Sequence, residues 1–211
     1  GRDEQFSVGV LSRHLEGCGI RRAEAREGAR LVQEALRDRG GASIDLAGLR
    51  RVIFDTLKVA CCDGAADRFL SRCRFNDSGE PLIVLIGGAT GAGKSTVAAR
   101  LAYLLDIVRT QSTDMMREII RCYLVPHVAP TLGFSSFDAW KGLPEIERVP
   151  RQAMTDKPVV SGFLAQFGTV KVALEATIQR AVKERSDLIV DGVHVLLTRL
   201  DLSAVRDKAV V

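Results

Sequence analysis

The chain has 211 residues and a formal net charge of +4, and 46% of its residues are hydrophobic and 27% charged. The length suits one or two domains, and the composition is that of a soluble globular protein, not a disordered or fibrous one. The basic residues are scattered, and no apolar run approaches the ~18 residues of a membrane span, so neither a nucleic-acid-binding protein nor a membrane protein is expected.

Residues 6–74 predict a small all-helical unit, because apolar residues recur there at helical spacing and glycines end the first two stretches. In the third predicted helix, Leu46, Leu49, Ile53 and Leu57 are expected to face inward. The turn-rich stretch "RFNDSGEP" then predicts a domain boundary. We therefore expect a helical domain at residues 1–75 and a second domain at residues 81–211.

Strands alternate with helices after this boundary. "LIVLIG" and "DLIVDG" are short, continuous apolar runs, typical of strands buried on both faces, and "IVRTQ" predicts a further strand. "VAARLAYLLD", "DMMREIIRCYL" and "FLAQFGTVKVALEATIQRAVKER" predict helices. This alternation favours an α/β fold with a parallel sheet flanked by helices. The apolar stripe of the longest helix consists of Phe167, Val170, Leu174, Ile178 and Ala181.

The stretch "GATGAGKS" matches the phosphate-binding pattern G-x-x-x-x-G-K-[ST] at every position and lies between a predicted strand and a predicted helix. Its glycines allow backbone N–H groups to approach phosphate oxygens, and the following helix adds its positive end. Lys94 is expected to contact the β- and γ-phosphates of ATP. The residues expected to bind the nucleotide are Gly88, Ala89, Thr90, Gly91, Ala92, Gly93, Lys94, Ser95 and Thr96.

Two oxygen ligands are expected to hold Mg²⁺ beside the nucleotide. The hydroxyl of Ser95 is one. The other is Asp191, which ends the strand in "DLIVDG" at the edge of a parallel sheet where ligands bind. The alternative for Asp191 is a turn-forming role before Gly192. Asp187, at the other end of the same strand, is expected to be structural.

The stretch "STDMMRE" follows the second predicted strand, so Asp114 is expected at the same sheet edge as the phosphate-binding loop. Helical spacing places Arg117 and Arg121 on its face, which suits an anionic acceptor that carries a hydroxyl. Asp114 would accept the hydroxyl proton. The alternative is that Asp114 only caps its helix. The remaining apolar residues of this helix are expected in the core: Met115, Met116, Ile119, Ile120 and Tyr123.

These residues leave several functions open. One is a small-molecule kinase that transfers phosphate to an anionic acceptor such as a phosphorylated acid, a sugar phosphate or an inositol phosphate. Another is a regulatory ATPase or binding module, and a third is a polynucleotide kinase. The absence of interleaved aromatic and basic residues argues against a nucleic-acid partner. Five cysteines without metal-ligand spacing are expected to be reduced thiols in a cytoplasmic protein.

The chain resembles the 2-phosphoglycerate kinase family, P-loop phosphotransferases related to nucleoside monophosphate kinases. The resemblance is carried by "LIGGATGAGKSTVAARLA", "STDMMREIIR", "PTLGFSSFDAW", "SGFLAQFGTVKVALEATIQRAVKE" and "LIVDGVH". It implies ATP- and Mg²⁺-dependent phosphorylation of 2-phosphoglycerate at its free hydroxyl. It also implies that Asp114 and Arg117 recognise the acceptor, and that Ser135, Ser136 and His194 belong to its pocket.

The same resemblance implies details of the fold. The amino-terminal stretch is similar to the helical ATP-cone domain that many family members carry before the kinase. A nucleoside-monophosphate-kinase-like core has five parallel strands and a lid that bears arginines, and the strand before Asp114 is expected to lie next to the strand before the phosphate-binding loop. The final residues "DKAVV" are expected to enter the fourth strand, and the fifth strand and lid are expected to lie outside this sequence.

Overall fold

The computed structural model describes residues 5–40, 43–62, 64–144, 157–203 and 205. The chain divides into two compact units. One consists of Gly1–Glu80 with Tyr103–Asp106, and the other of Pro81–Ala102 with Ile107–Val211. The predicted fourth strand at "DKAVV" lies outside the described residues.

The first unit contains four helices: α1 (Val8–Gly17), α2 (Arg22–Asp38), α3 (Leu46–Ala60) and α4 (Ala65–Ser78). Their apolar stripes meet in one core, which includes Leu15, Val32 and Leu57. Leu46 does not join this core as predicted, since it is 63% exposed. Leu46 is the first residue of α3, and the buried residues of this helix begin only at Val52.

The second unit is an α/β structure. Short 3-10 turns lie at Pro130–Gly133, Ala139–Gly142 and Leu197–Arg199. The longer elements are β1 (Ile83–Gly87), α5 (Lys94–Leu105), β2 (Thr110–Ser112), α6 (Thr113–Tyr123), α7 (Lys157–Lys183) and β3 (Leu188–Gly192).

The three strands form a parallel sheet in the order β1-β3-β2. The parallel sheet and flanking helices confirm the predicted fold class at this level. We expect from the family resemblance that β2 pairs directly with β1, and this is wrong, because β3 lies between them. All five residues of β3 are buried, whereas β1 and β2 are partly exposed, as expected when β3 takes the central position. The carboxylate of Asp187 accepts a hydrogen bond from the backbone N–H of Leu82 at 2.8 Å, which is a structural role.

Helix α7 is a core helix of the second unit. All five residues of its predicted stripe are buried, and four of them, Val170, Leu174, Ile178 and Ala181, belong to the same apolar cluster as residues of β1 and β3. By length and composition alone, α7 could also cross a membrane. Its stripe packs against residues of the sheet, as expected of a core helix.

Helix α6 differs from its prediction on one face. Met116 is buried and Ile120 packs against the core, but Met115, Ile119 and Tyr123 are each more than half exposed. These three residues recur every four positions, so they lie on one side of the helix. The prediction that all five are core residues is wrong because only the opposite side contacts the sheet and α7.

A close approach between α7 and the second 3-10 turn predicts a stability effect. A Cβ atom at Gly162 would lie 2.2 Å from the Cα of Trp140, and a Cβ atom at Gly168 in the same helix would meet nothing within 4 Å. We expect Gly162→Ala to destabilise the second unit by about 2 kcal/mol. Gly168→Ala is the control and should be neutral or stabilising by up to about 1 kcal/mol.

The measurement is chemical unfolding followed by fluorescence, because Trp140 is the single tryptophan and lies in the second unit. Equal unfolding midpoints for the two alanine variants would contradict the close approach.

Candidate nucleotide and acceptor site

The phosphate-binding loop connects β1 to α5, as its motif predicts. Gly91 and Gly93 both have φ of +80°, a conformation that side chains with a Cβ atom adopt at a cost. These turns bring the chain to Lys94, the first residue of α5. The ammonium of Lys94 donates to the carbonyl oxygen of Ala89 at 2.7 Å, so its side chain curls over the loop. The N-terminus of α5 and the ammonium of Lys94 therefore both lie at this loop, where they can attract an anion.

The two predicted magnesium ligands meet beside this loop. The hydroxyl of Ser95 donates to Oδ2 of Asp191 at 2.6 Å, so the two oxygens converge from α5 and β3. Hydroxyl and carboxylate oxygens are hard donors, which Mg²⁺ prefers. No cluster of three or more His, Cys, Asp or Glu side chains occurs among the described residues, so phosphate and water oxygens would supply the other ligands.

Strand register aligns the three strand ends. Asp191 of β3 is paired with Ile86 of β1 on one side and with Ser112 of β2 on the other. The phosphate-binding loop and the start of α6 are therefore two strand spacings apart, about 10 Å, with Asp191 between them.

Asp114 lies in the first turn of α6 and is exposed. The N-cap of this helix is Ser112, whose hydroxyl accepts from the backbone N–H of Asp114 at 3.2 Å. The alternative interpretation of Asp114 as the helix cap is therefore wrong. Its carboxylate is left to interact with the positive end of the helix and with whatever binds at the sheet edge.

Arg117 is held by the backbone of the neighbouring loop. Its Nη1 donates to the carbonyl oxygens of Leu132 and Phe134 at 3.1 and 3.0 Å, and its Nη2 lies 2.7 Å from Glu118. Its Nε is buried without a hydrogen-bond partner among the described residues. Because the side chain of Arg117 is only 15% exposed and is bonded to the loop, Arg117 supports the loop in addition to any role in binding an acceptor.

The other predicted pocket residues lie around this loop. Arg121 is half exposed and pairs with Glu118 at 2.6 Å. Ser135 is exposed, and its hydroxyl accepts from the backbone N–H of Asp138 at 3.2 Å. Ser136 is partly buried. The loop therefore presents its serines next to the segment that Arg117 holds.

His194 has no exposed surface. Its Nδ1 lies 3.3 Å from the hydroxyl of Thr113 and its Nε2 lies 2.9 Å from the amide oxygen of Gln166, and its ring stacks on Phe163. Burial lowers the pKa of His194 to about 4, the carboxylate of Asp114 opposes this shift, and Arg117 adds to it. This position suits support of a pocket wall better than direct contact with an acceptor.

Three residues of this region are missing from the sequence-based prediction. Gln166 and Thr113 are completely buried polar residues. Gly192 allows β3 to approach α6, since a Cβ atom there would lie 1.7 Å from the hydroxyl of Thr113. The signal for Gln166 was a polar residue within the apolar stripe of α7, and the signal for Gly192 was the glycine directly after Asp191.

Comparison with known proteins places this site in a family context. The chain is 37% identical over 191 residues to a 2-phosphoglycerate kinase of Pyrococcus horikoshii, a match that covers 90% of this chain and 61% of that protein. It is 36% identical to one from Methanopyrus kandleri, over 90% of this chain and 56% of that protein. It is 32% identical to one from Methanocaldococcus jannaschii, over 92% of this chain and 60% of that protein.

This chain is a relative of the 2-phosphoglycerate kinases. The resemblance predicted from its motifs is thereby confirmed. The chain spans about three fifths of the length of the curated 2-phosphoglycerate kinases it matches. The Zeta toxin family model also matches residues 66–128, which include the phosphate-binding loop and α6. No solved structure matches the chain.

The buried histidine of this 2-phosphoglycerate kinase relative predicts a pH effect on stability. The folded-state pKa of His194 is about 4, below the ordinary value of 6.5. Between these values the unfolded chain binds more protons, so stability should be complete above pH 6.5 and fall as the pH falls towards 4. We expect His194 to account for a loss of about 3 kcal/mol over this range.

The test measures unfolding by Trp140 fluorescence between pH 4 and 7. His194→Asn should flatten the pH dependence, and the same substitution at the exposed His127 should leave it unchanged. An identical pH slope in wild type and His194→Asn would contradict the prediction.

Proposed function

We propose that the chain contains the nucleotide-binding and acceptor-binding parts of an ATP-dependent kinase that converts 2-phosphoglycerate to 2,3-bisphosphoglycerate. The observation that carries the proposal is the row of paired residues Ile86, Asp191 and Ser112. This row brings the loop that follows β1, the carboxylate of Asp191 and a helix with an acidic first turn to one sheet edge. The similarity to curated 2-phosphoglycerate kinases over 90% of this chain supports the choice of acceptor.

ATP would bind with its phosphates in the loop Gly88–Thr96. The backbone N–H groups around Gly91 and Gly93 and the N-terminus of α5 would surround the phosphate oxygens. Lys94, which already lies over the loop, would exchange the carbonyl of Ala89 for the β- and γ-phosphates. These groups supply positive charge where the transition state carries negative charge.

Ser95 and Asp191 would hold Mg²⁺ at their point of contact. When bound, this ion neutralises phosphate charge and orients the transferred group. Asp191 is mostly buried, so the direction of its carboxylate is restricted.

Transfer would proceed by attack of the acceptor hydroxyl oxygen on the γ-phosphorus of ATP. The bond from the γ-phosphorus to the bridging oxygen breaks, and ADP leaves with that oxygen. Asp114 would accept the hydroxyl proton. Because phosphoryl transfer depends mainly on position and charge, this proton transfer is a smaller contribution than the alignment of the two substrates.

The acceptor anions would be recognised by Arg117 and Arg121, with Ser135 and Ser136 as hydrogen-bond donors. Glu118 pairs with both guanidiniums and is the carboxylate that an acceptor phosphate or carboxyl group would replace. Such an exchange keeps each arginine paired before and after binding.

The finer features of the family would accompany this activity. We infer a nucleoside-monophosphate-kinase-like core, a cytoplasmic location and an amino-terminal helical domain similar to an ATP cone. Small phosphorylated acids are the proposed partners, without a role for nucleic acid or membrane.

An acceptor screen coupled to ADP release tests the proposal. The full-length protein is given ATP and Mg²⁺ with 2-phosphoglycerate, 3-phosphoglycerate, a sugar phosphate, an inositol phosphate or an oligonucleotide. The expected result is that 2-phosphoglycerate increases turnover most. A constant ATPase rate with every acceptor would instead support a regulatory ATPase and overturn the kinase proposal.

A further inference from the structure

A continuous chain of buried hydrogen bonds connects three elements of the second unit. Its centre is Gln166, which is 0% exposed on the buried face of α7, next to Phe167 at the start of the apolar stripe. Its amide nitrogen donates to the carbonyl oxygens of Thr131 and Phe134, at 2.7 and 3.0 Å. Since the nitrogen faces two acceptors, the amide oxygen is the atom that faces His194, at 2.9 Å.

These contacts determine the direction of the remaining hydrogen bonds. The Nε2 of His194 must carry the proton, because it faces an amide oxygen. Its Nδ1 is then an acceptor, and the hydroxyl of Thr113 donates to it at 3.3 Å. The row of hydrogen bonds therefore runs from Thr113, the first residue of α6, through His194 to Gln166 of α7. From Gln166 it continues to the loop at residues 131–134.

The same loop is held from a second side. Arg117 donates to the carbonyl oxygens of Leu132 and Phe134. The Phe134 carbonyl thus accepts from both Arg117 and Gln166. Ser135 and Ser136 follow directly, so their backbone begins at the point where these two side chains meet.

A polar side chain is not needed to fill this position in the core. An apolar residue of similar volume at 166 would avoid the desolvation of an amide, and buried polar networks gain little stability compared with apolar packing. What the amide adds is geometry, because its three hydrogen bonds fix one arrangement of the loop relative to α6 and β3.

We propose that Gln166 is a positioning residue for acceptor binding. It holds the loop at residues 131–134, and with it Ser135 and Ser136, in register with the Asp114 end of α6. This inference rests on the proposed function, since it names which part of that site the loop serves. In the described part of the chain, Gln166 forms hydrogen bonds with Thr131, Phe134 and His194, and not with the nucleotide loop or Asp191, so its effect should be confined to the acceptor.

The test uses Gln166→Glu in the full-length protein. A glutamate carboxylate can still accept from His194 but cannot donate to Thr131 and Phe134, and its second oxygen is repelled by their carbonyl oxygens, so the variant breaks the bonds to the loop and keeps the bond to His194. The KM for 2-phosphoglycerate should rise roughly tenfold or more, and the KM for ATP should change less than about twofold. Gln179→Glu is the matched control, because it makes the same change at an exposed position of α7. Unchanged acceptor KM in a folded Gln166→Glu protein would overturn the inference.

A second variant and a second measurement keep the inference testable if the first variant is unstable or the acceptor is different. Gln166→Leu introduces no charge and removes all three hydrogen bonds. In both variants, amide hydrogen exchange in the peptide covering residues 130–138 should be faster than in wild type and in Gln179→Glu. Unchanged exchange would overturn the inference whatever the acceptor is. Faster exchange in an enzyme that no acceptor stimulates would support the loop-holding role of Gln166 and reject only the proposed function.

Discussion

Lys94→Ala is expected to reduce phosphoryl transfer by about 10³-fold and to weaken ATP binding by at least about tenfold. The expectation follows from the position of Lys94 at the start of α5, with its ammonium directed over the loop. Alanine preserves the helix, so the loss should come from the missing charge. Calorimetric titration with ATP and Mg²⁺, and an assay of ADP release, measure the two effects.

Lys183→Ala is the matched control for Lys94, since it removes an exposed lysine from the last turn of α7 in the same unit. It should bind ATP as wild type does. Equal ATP affinity for wild type and Lys94→Ala would mean that the loop does not bind the nucleotide phosphates, and the proposed function would lose its basis.

Asp114→Asn is expected to lower kcat by about 10²-fold while ATP affinity stays nearly unchanged. The structure sharpens this expectation, because the helix cap is Ser112 and the amide substitution leaves that cap intact. Loss of the carboxylate charge from the first turn should lower stability by only about 0.5 kcal/mol. A large fall in kcat with a nearly unchanged melting temperature therefore separates a role in transfer from a role in helix stability.

Asp55→Asn provides the comparison for Asp114, since Asp55 is an exposed residue of α3. The pair should have similar melting temperatures and differ only in turnover. Wild-type kcat in Asp114→Asn would reduce "STDMMRE" to a stable helix start, and the acceptor hydroxyl would then need no carboxylate at residue 114.

Local patterns predicted the phosphate-binding loop and the long helices well. The spacing of glycines, Lys94 and Ser95 describes a single turn between a strand and a helix, so no distant part of the chain is needed to interpret it. The stripe of α7 is equally local, because helical periodicity identifies its buried side. Ser95 and Asp191 were paired from the rule that ligands bind at the carboxyl ends of parallel strands, and they lie 2.6 Å apart.

Strand order and side-chain partners could not be predicted in the same way. The position of β3 between β1 and β2 depends on how three separate segments share one sheet. Arg117 has helical spacing from Asp114, but its bonds to the carbonyls of Leu132 and Phe134 depend on a loop more than ten residues away. Gln166 lies in a helix that the sequence predicts as amphipathic, and only the fold brings His194 to it.

The order of the strands has a consequence for how the chain folds. Strands β1 and β2 do not pair with each other, and both pair with β3. β3 begins at Leu188, about a hundred residues after the start of β1. During synthesis no pair of these three strands can therefore form before the ribosome has released residues 188–192, whereas the helices of the first unit can pack much earlier. Late, long-range pairing makes folding slow and leaves apolar segments such as α7 without partners in the meantime. A lower growth temperature should then raise the yield of soluble protein more than any change within the amino-terminal helices.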